Sequence, residues 1–436
     1  MLLVYTHRIT PRFTYIVKHI FHKMMGVEVT FTNKVESFIA HTGPRITYTK
    51  QPLQNEFFIR SHDLLFEQGI ASIDIKMFEW NGIPCFFPTN ERSDIPYDIF
   101  AAGFYLLSRY EEYLPHVKDS HGRYPAEESL AFKQGFLQKP VVDLWIKQFT
   151  VLLLERFPDL QVKLRKFSYV SVIDVAISHC FKHRGILRTL GGTLLDLTSF
   201  RLKRIFKRYM VLLGLKKDPY DNFQSLLKLH TENKIKAIFF ILIADYSKYD
   251  KSISIFNNNF RSLIKSIADY AIVSLMGSYD SYENISSLKK NRATLIELIN
   301  RPVKRIRLRY NRVNIPETYK LLVDAEFNED YTMGYTRYPG FRAGTCTPFY
   351  FYDISYEVQL PLKINPFCIH NYSFLQFRTE DEIRSLIARL FNEVRNVKGD
   401  FITVFSNSML GNSVVHNNQR IYEELIKTLG SEKYNN

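Results

Sequence analysis

From Phe167 onward, short apolar runs alternate with longer segments in which apolar residues recur three and four positions apart. The apolar runs are residues 168–174 (SYVSVID), 236–244 (KAIFFILIA), 271–275 (AIVSL) and 304–309 (KRIRLR). The spacing in the intervening segments is typical of amphipathic helices. Alternation of this kind predicts an α/β fold with a parallel sheet, either doubly wound or closed into a barrel. Ligands of such folds bind at the carboxyl ends of the strands.

Residues 1–165 show no regular alternation. They combine a helix-like segment at 11–25, short β-rich runs such as VEVTFT and CFFP, and a strong helix pattern from Ile99 to Tyr110. Asp98 directly precedes this pattern and Pro115 follows it, as helix start and stop signals do. We therefore predict a smaller α+β domain over 1–165, followed by the α/β domain over 166–430.

The basic residues are concentrated in two places. The 436 residues carry a formal charge of +14. Residues 201–217 hold seven Lys/Arg and no acid, and residues 289–312 hold nine Lys/Arg and one acid. The rest of the chain is close to neutral, so we expect no specific nucleic-acid partner. The pattern of segment 201–217 predicts an outer amphipathic helix whose solvent face is basic. The alternative is that this helix contacts a membrane surface or a polyanion.

The cysteines and the N-terminal segment indicate the cellular compartment in which we expect the protein. Cys85, Cys180, Cys346 and Cys368 form no CxxC pair and no dense framework, which argues against a disulfide scaffold or a zinc knuckle. The N-terminal segment is interrupted by Arg8, Pro11 and Arg12 and does not resemble a secretion signal. We expect a cytoplasmic protein.

Several long segments resemble the polysaccharide deacetylase-like proteins of Bacteroidota-type bacteria. In the first domain these are ITPRFTYIVKHIF, DIPYDIFAAGFYLLSRYEEYLP, DSHGRYPAEESLA and KPVVDLW. In the second they are KHRGILRTLGGTLLDL, KYDKSI, NIPETYKLLVDAEFNEDYTMGY and GFRAGTCTPFYFYDISYE. The resemblance spans most of the chain. It implies a distorted (β/α) barrel of the deacetylase type, preceded by a family-specific domain of unknown role.

The same resemblance implies metal-assisted hydrolysis of N-acetyl groups on a glycan. In that chemistry a divalent ion held by a carboxylate and imidazoles activates water, and a second carboxylate, oriented by an arginine, accepts the proton. The family pattern places the base at Asp174 and its orienting arginine at Arg342. It also places metal ligands at three positions that here hold Ala176, Met276 and Arg309. A methyl group, a thioether and a cation are poor ligands for zinc-like ions.

Other residues could restore or replace this chemistry. His179 and His183 are four positions apart and would share a face of a helix, which makes them candidate substitute ligands for a divalent metal. The alternative is that His183 is a loop or helix-start residue of the KHRG segment and that His179 is incidental. His370 lies where related deacetylases place a catalytic acid, and the alternative is a buried structural histidine. Asp174 and Arg342 either keep a function or persist as an ion pair.

Strand-end cations and polar residues suggest the ligand. Arg309 would favour an anionic sugar at the mouth of the former metal site, with Ser278 and Tyr279 as further binding candidates. We therefore predict a polysaccharide deacetylase-like pseudoenzyme of glycan or surface-polysaccharide metabolism, with no bound cofactor and a glycan or anionic sugar as ligand. One alternative is an active N-deacetylase with relocated ligands or a metal-free site. Another is a polyanion- or membrane-associated module acting through 201–217.

Overall fold

The computed structural model describes residues 1–163, 165–411 and 415–432. Its N-terminal part, residues 1–165, holds a four-stranded sheet in the order β2-β1-β3-β4, with every pair parallel. A separate antiparallel hairpin, β5-β6, follows. The strands are β1 (Leu2–Tyr5), β2 (Val29–Thr32), β3 (Arg45–Thr49), β4 (Phe57–Arg60), β5 (Met77–Trp80) and β6 (Ile83–Phe86). The helices are α1 (Pro11–Lys18), α2 (Val35–Ala40), α3 (Ile99–Leu107), α4 (Leu130–Lys133) and α5 (Val141–Arg156).

The parallel sheet differs from the α+β arrangement predicted for 1–165. Strand β1 is connected to β2 through α1 and a π-helical turn at His19–Met25, and β2 to β3 through α2. Strands this short do not reveal in their hydrophobic period which way they pair. The predicted helix at Ile99 is confirmed, and Asp98 caps it by accepting hydrogen bonds from the backbone N–H groups of Phe100 and Ala101.

The second sheet has nine strands in the order β12-β13-β11-β10-β9-β8-β7-β15-β14. Neighbouring strands are parallel except β12 and β13. The strands are β7 (Ser168–Val175), β8 (Lys236–Leu242), β9 (Ile272–Gly277), β10 (Arg305–Leu308), β11 (Glu329–Asp330), β12 (Phe349–Asp353), β13 (Val358–Ile364), β14 (Ile369–His370) and β15 (Asp400–Ser406). The four predicted apolar strands are therefore confirmed as β7 to β10.

The helices of this part largely follow the predicted alternation with the strands. They are α6 (Ile186–Thr198), α7 (Leu202–Leu212), α8 (Phe223–Glu232), α9 (Asn258–Tyr270), α10 (Ile285–Ile299), α11 (Glu317–Asp324), α12 (Glu380–Asn396), α13 (Asn407–Leu410) and α14 (Asn418–Glu432). Helices α6 and α7 are separate, because the chain turns at 199–201. Among the described residues, no helix is both long and apolar enough to cross a membrane.

The second sheet is strongly curved. Three strand spacings separate β7 from β10, roughly 14 Å along the sheet. Nevertheless, the side chains of Asp174 on β7 and Arg307 on β10 meet at 2.8 Å. The concave face encloses an apolar cluster that includes Val172, Phe240 and Met276. No described ladder joins β14 to β12, so the closed barrel stays a prediction.

The two sheets share one hydrophobic core, which includes residues of α3, α5, β9 and β12. Charged side chains cross the boundary as well. Arg12 on α1 donates to the carboxylate of Glu357, and Asp143 on α5 accepts a hydrogen bond of 2.6 Å from Thr345. The N-terminal part is thus packed against the second sheet, and the boundary at 165/166 remains a sequence prediction.

Candidate functional site

Asp174 lies near the carboxyl end of β7, where the strand-end rule predicts functional groups. Arg307 donates from Nε to both of its carboxylate oxygens, at 2.8 and 3.1 Å. The same guanidinium donates to the backbone carbonyl of Tyr331 at 2.6 Å and lies over the ring of Phe367. Burial by itself would raise the pKa of Asp174, but Arg307 and His370 bring that pKa below its usual value. Asp174 is therefore a carboxylate whose charge is neutralised inside the protein.

His370 completes the surroundings of Asp174. Its Nε2 lies 3.6 Å from Oδ2 of Asp174, and its side chain is buried. Burial lowers the pKa of His370, while the neighbouring carboxylate raises it, and the net shift is downward. His370 also caps the helical turn at 371–376, because its Nδ1 accepts from the backbone N–H of Tyr372. The structure thus brings two of the predicted site residues together, Asp174 and His370.

Arg342 lies elsewhere. We expected it to orient Asp174, but the structure pairs it with Glu112, which follows α3. Nε and one terminal nitrogen of Arg342 donate to the two carboxylate oxygens of Glu112, at 2.9 and 2.6 Å. Arg109 donates to the same carboxylate at 2.7 Å and to Glu111 at 2.6 Å. Arg307, which the sequence places near the carboxyl end of a basic strand, is the arginine that holds Asp174.

The three positions that the resemblance assigns to metal ligands lie at or near the carboxyl ends of β7, β9 and β10. Ala176 directly follows β7, and Met276 is buried on β9 in the apolar cluster of the concave face. Arg309 follows β10, where its Nε lies 3.0 Å from a carboxylate oxygen of Asp250 and donates to the carbonyl of Tyr249. Burial raises the pKa of Asp250, although Arg309 opposes the shift. The cation at this position is thus fixed by an internal partner.

The spacing of His179 and His183 suggested a helix, but both residues lie in the loop before α6. Their rings nevertheless contact each other, with centroids 4.8 Å apart. His179 is buried beside Ser178, and Nδ1 of His183 lies 3.2 Å from the side-chain amide of Asn259. Burial lowers the pKa of both imidazoles. No described contact joins either ring to Asp174.

The donor set does not suit a divalent metal ion. Within residues 1–163, 165–411 and 415–432, no three His, Cys, Asp or Glu side chains are grouped so that they could hold one. A catalytic zinc site takes three protein ligands and an open position. Here the histidine pair lacks a third ligand, and the carboxylate at the end of β7 is occupied by a guanidinium. We therefore derive no step through a metal.

Aromatic and cationic side chains lie at the strand ends beside Asp174 and Arg309. Tyr279 stacks on Tyr249 with ring centroids 3.9 Å apart, and Tyr310 meets it edge-on. Arg312 lies over the Tyr279 ring and donates to the Tyr279 carbonyl at 2.8 Å. The hydroxyl of Tyr279 lies 3.1 Å from Nδ1 of His121, which belongs to the N-terminal part. Five side chains form what we call the tyrosine–arginine cluster: Tyr249, Tyr279, Tyr310, Arg309 and Arg312.

Ser278 has an internal role in the same region. Its hydroxyl lies 2.6 Å from that of Ser281, and its backbone N–H donates to the Ser281 hydroxyl at 2.9 Å. The side chain is buried. Ser278 thus shapes the turn after β9, while Tyr279 is the partly exposed member of the predicted pair.

A cleft opens beside the tyrosine–arginine cluster. Its volume is about 240 Å³, and it is lined mainly by loop 119–127 of the N-terminal part and by loop 334–338, which follows β11. Tyr335 lines it and is buried, and its hydroxyl has no hydrogen-bond partner within the described part of the chain. Arg337 also lines the cleft, and no acidic partner of this exposed side chain is described. The cleft lies at the edge of the sheet that the strand-end rule predicts.

Comparisons with known proteins find a family match in the N-terminal part and structural neighbours for the chain. Residues 2–158 match a family of unknown function (DUF7033). No curated protein matches the sequence. The structural neighbours include polysaccharide deacetylases, one of them a pseudoenzyme.

Three neighbours illustrate the range of these likenesses. A candidate polysaccharide deacetylase from Mycobacterium smegmatis is 15% identical, with a TM-score of 0.41 over 61% of this chain and 84% of the other. A mutant of a CE4-family pseudoenzyme with restored activity is 11% identical, with a TM-score of 0.33 over 62% and 65%. A polysaccharide deacetylase from Bacillus cereus is 12% identical, with a TM-score of 0.30 over 62% and 89%.

Sequence reasoning missed the acidic partners and the loop that borders the cleft. Glu112 follows α3 by five positions, and Asp250 lies eight positions beyond β8, so neither sits where the strand-end rule directs attention. His121 comes from the N-terminal part, far away in sequence. A signal was present for Arg307, because positions 305, 307 and 309 alternate and so share one face of their strand.

Proposed function

We propose that this protein is a glycan-binding pseudoenzyme with a deacetylase-like architecture rather than a metal-dependent hydrolase. One observation carries the proposal: the carboxylate expected to act as base, Asp174, is held by Arg307, while the expected ligand positions hold Ala176, Met276 and Arg309. A guanidinium bound to the carboxylate disfavours proton uptake by it, because the charged form is stabilised.

The cleft supports binding of a sugar chain. Tyrosine rings offer an apolar face and a polar edge, a combination suited to a sugar ring. Tyr335 adds a buried hydroxyl with no described partner, and a buried polar group without a partner is costly unless a ligand or water satisfies it. The residues around the cleft thus provide both stacking and hydrogen-bonding groups.

The charge of the cleft favours an anionic sugar. Arg123 is paired with Asp119 and Arg342 with Glu112, whereas Arg337 has no described acidic partner. Guanidinium groups bind carboxylates and phosphates through two parallel hydrogen bonds. We propose a uronate-containing or phosphorylated glycan as the ligand class.

Metal analysis and an activity assay test the loss of hydrolysis. We expect purified protein to contain less than stoichiometric zinc, cobalt or manganese. We also expect no acetate release from N-acetylated oligosaccharides when each of these metals is added. Stoichiometric metal together with measurable acetate release would overturn the pseudoenzyme proposal.

Calorimetric titration with a glucuronate-containing oligosaccharide and a neutral counterpart tests the binding site. Arg337→Gln should weaken binding of the acidic sugar about tenfold, because one charged hydrogen bond is lost. Arg378→Gln, an exposed arginine outside the cleft, is the matched control and should leave binding unchanged. Equal affinity of Arg337→Gln and the unsubstituted protein for the acidic sugar would exclude this cleft as the site.

An active N-deacetylase is the second candidate, and the Asp174–His370 contact of 3.6 Å favours it. A carboxylate beside an imidazole is a general acid–base arrangement that needs no metal. This alternative predicts acetate release that Asp174→Asn abolishes. Absence of acetate release from the unsubstituted protein rejects it.

We also propose a cytoplasmic location. The four cysteines are buried and form no disulfide, an arrangement that a reducing compartment maintains. Cell fractionation with an antibody to the protein tests this, and recovery in an extracellular fraction would contradict it.

A further inference from the structure

Helices α6 and α7 form a hairpin, residues 186–217, whose polar side chains face inward. Arg208 on α7 is buried and forms an ion pair with Asp196 on α6. It also donates to the hydroxyl of Thr193 at 2.7 Å. Gly192 lies against the same guanidinium, and a methyl group there would approach it to 3.1 Å. The two helices are therefore joined by a charged, hydrogen-bonded contact and not by leucines.

The apolar side of α6 faces outward instead. Its leucines and isoleucine recur at helical spacing on one face. Their exposed fractions lie between 53% and 86%, and the residues are Ile186, Leu187, Leu190, Leu194 and Leu197. A helix in a globular protein normally turns this stripe toward the core. Here the stripe is presented to the surroundings.

The same exposed surface continues along α7 and the turns around it. Phe200 in the connecting turn is 89% exposed. Further exposed apolar side chains on this segment are Leu202, Phe206, Leu213 and Leu215. Contiguous apolar surface of this kind marks a site of interaction with a protein or a membrane.

The charge of the hairpin identifies the partner. It carries eight basic residues, and its one acid is the buried Asp196. Seven cations of segment 186–217 are exposed: Arg188, Arg201, Lys203, Arg204, Lys207, Lys216 and Lys217. Two of these are partly engaged, because Arg188 donates to the carbonyl of Ser252 and Nε of Arg204 lies 3.6 Å from Asp196. A second copy of this chain would bring like charges face to face. Exposed Leu and Phe next to Lys and Arg instead match an interfacial helix on anionic lipid.

The hairpin lies next to the loops of the candidate site. It begins eleven positions after the end of β7, which carries Asp174. Arg188 donates to the carbonyl of Ser252 at 3.2 Å and stacks over Tyr246 at 3.9 Å, and both belong to the loop after β8. That loop also carries Tyr249 of the tyrosine–arginine cluster. A surface bound by the hairpin would therefore lie beside the carboxyl ends of β7 and β8.

We propose that hairpin 186–217 is an interfacial anchor that binds the protein to an anionic lipid bilayer. The leucine face of α6 enters the boundary between headgroups and acyl chains. The exposed lysines and arginines contact the lipid phosphates. The protein is then held on the membrane without spanning it. This extends the prediction of a basic helix at 201–217, because α6 supplies the apolar surface that the basic helix alone lacks.

Co-sedimentation of the full chain with lipid vesicles tests the proposal. Vesicles contain either phosphatidylcholine alone or phosphatidylcholine mixed with phosphatidylglycerol, at low and high salt. We expect binding to the mixed vesicles, weakened by salt, and little binding to neutral ones. The triple variant Leu187→Ser, Leu190→Ser, Leu194→Ser should lower binding about tenfold or more, as should Lys203→Glu with Lys207→Glu.

Matched controls are exposed residues of the same types elsewhere. Ile39→Ser, Val117→Ser and Val151→Ser control for lost apolar surface, and Lys265→Glu with Lys289→Glu for reversed charge. Both controls should bind like the unsubstituted chain.

The proposal is overturned if the unsubstituted chain does not bind anionic vesicles or if the serine variant binds them equally well. Concentration-dependent dimerisation that the serine variant abolishes would also overturn it, because a second copy would then cover the face. No sugar is present, so the glycan-binding proposal is tested separately.

Discussion

Two buried arginine–carboxylate groups in this molecule use the same residue types for different purposes. At the end of β7, one arginine and one imidazole surround Asp174. After α3, Arg109 and Arg342 surround Glu112 and connect the N-terminal part to the loop before β12. The family resemblance suggests that Arg342 belongs to the first group, whereas the structure places it in the second. An arginine within a recognisable motif therefore does not identify its partner.

The difference lies in how much each carboxylate depends on its partners. The side chain of Glu112 is 3% exposed and accepts hydrogen bonds from two guanidinium groups. Burial would raise the pKa of Glu112, but Arg342 and Arg109 outweigh burial and lower the pKa to about 2. The side chain of Asp174 is 13% exposed and has one guanidinium. The Glu112 group should thus contribute mainly to stability, and the Asp174 group should be more tolerant of change.

The largest expected effect is that of Glu112→Gln. The change leaves the buried guanidinium of Arg342 without its counter-charge and removes one of the two carboxylate partners of Arg109, so we expect the free energy of unfolding to fall by about 3–5 kcal/mol. Urea unfolding followed by fluorescence measures it, because Trp80 and Trp145 both lie in the N-terminal part. Glu128→Gln, which breaks a surface pair with Lys133, should cost less than about 1 kcal/mol. Similar losses in the two variants would show that Glu112 has no special role.

Acidification should remove the same contribution. The pKa of Glu112 is about 2 in the folded protein against an ordinary 4.5, so its carboxylate stabilises the fold fully above pH 4.5. This contribution is lost as the pH falls from 4.5 toward 2 and amounts to about 3 kcal/mol. The stability difference between the unsubstituted protein and Glu112→Gln should therefore shrink over that range. A difference that stays constant down to pH 2.5 would contradict the assigned pKa.

The sequence predicted the second sheet better than the first. Strands β7 to β10 are short apolar runs between long helices, so their pattern is distinctive. Strands β1 to β4 are only four or five residues long, and the pairing of such short strands depends on tertiary packing. The orientation of α6 was also missed, because periodicity shows that a helix has an apolar face but not what that face contacts.

The candidate site was predicted in part for a related reason. The strand-end rule located Asp174, Arg309 and Tyr279, because their positions follow from the strands. Which side chains pair, Asp174 with Arg307, Arg309 with Asp250 and Arg342 with Glu112, could not be deduced, since long side chains reach across several strands or between distant segments. Sequence spacing fixes where a backbone position lies along a strand, and curvature of the sheet decides which side chains meet.

A smaller loss is expected for Asp174→Asn. The amide keeps the shape and one acceptor but removes the charge that faces Arg307, so stability should fall by about 2 kcal/mol. Combining it with Arg307→Met should cost about 1–2 kcal/mol less than the sum of the single changes, because the two side chains interact directly. Urea unfolding of the four proteins provides the cycle. Additive losses would mean that the ion pair contributes nothing to stability.

The smallest effect concerns His370. Asparagine at this position can still accept from the backbone N–H of Tyr372, so His370→Asn tests the contact with Asp174 and preserves the cap. The pKa of His370 is lowered from 6.5, chiefly by burial, so the imidazole is mostly neutral at pH 7.5 and its contact with the carboxylate is weak. We expect a stability loss of about 0.5–1 kcal/mol at that pH.

Titration of the imidazole by NMR should place the His370 pKa below 6.5. Asp174→Asn should lower this pKa further, because the carboxylate favours the protonated ring. A pKa unaffected by Asp174→Asn would show that the two side chains are not coupled, and the metal-free acid–base alternative would then lose its structural basis.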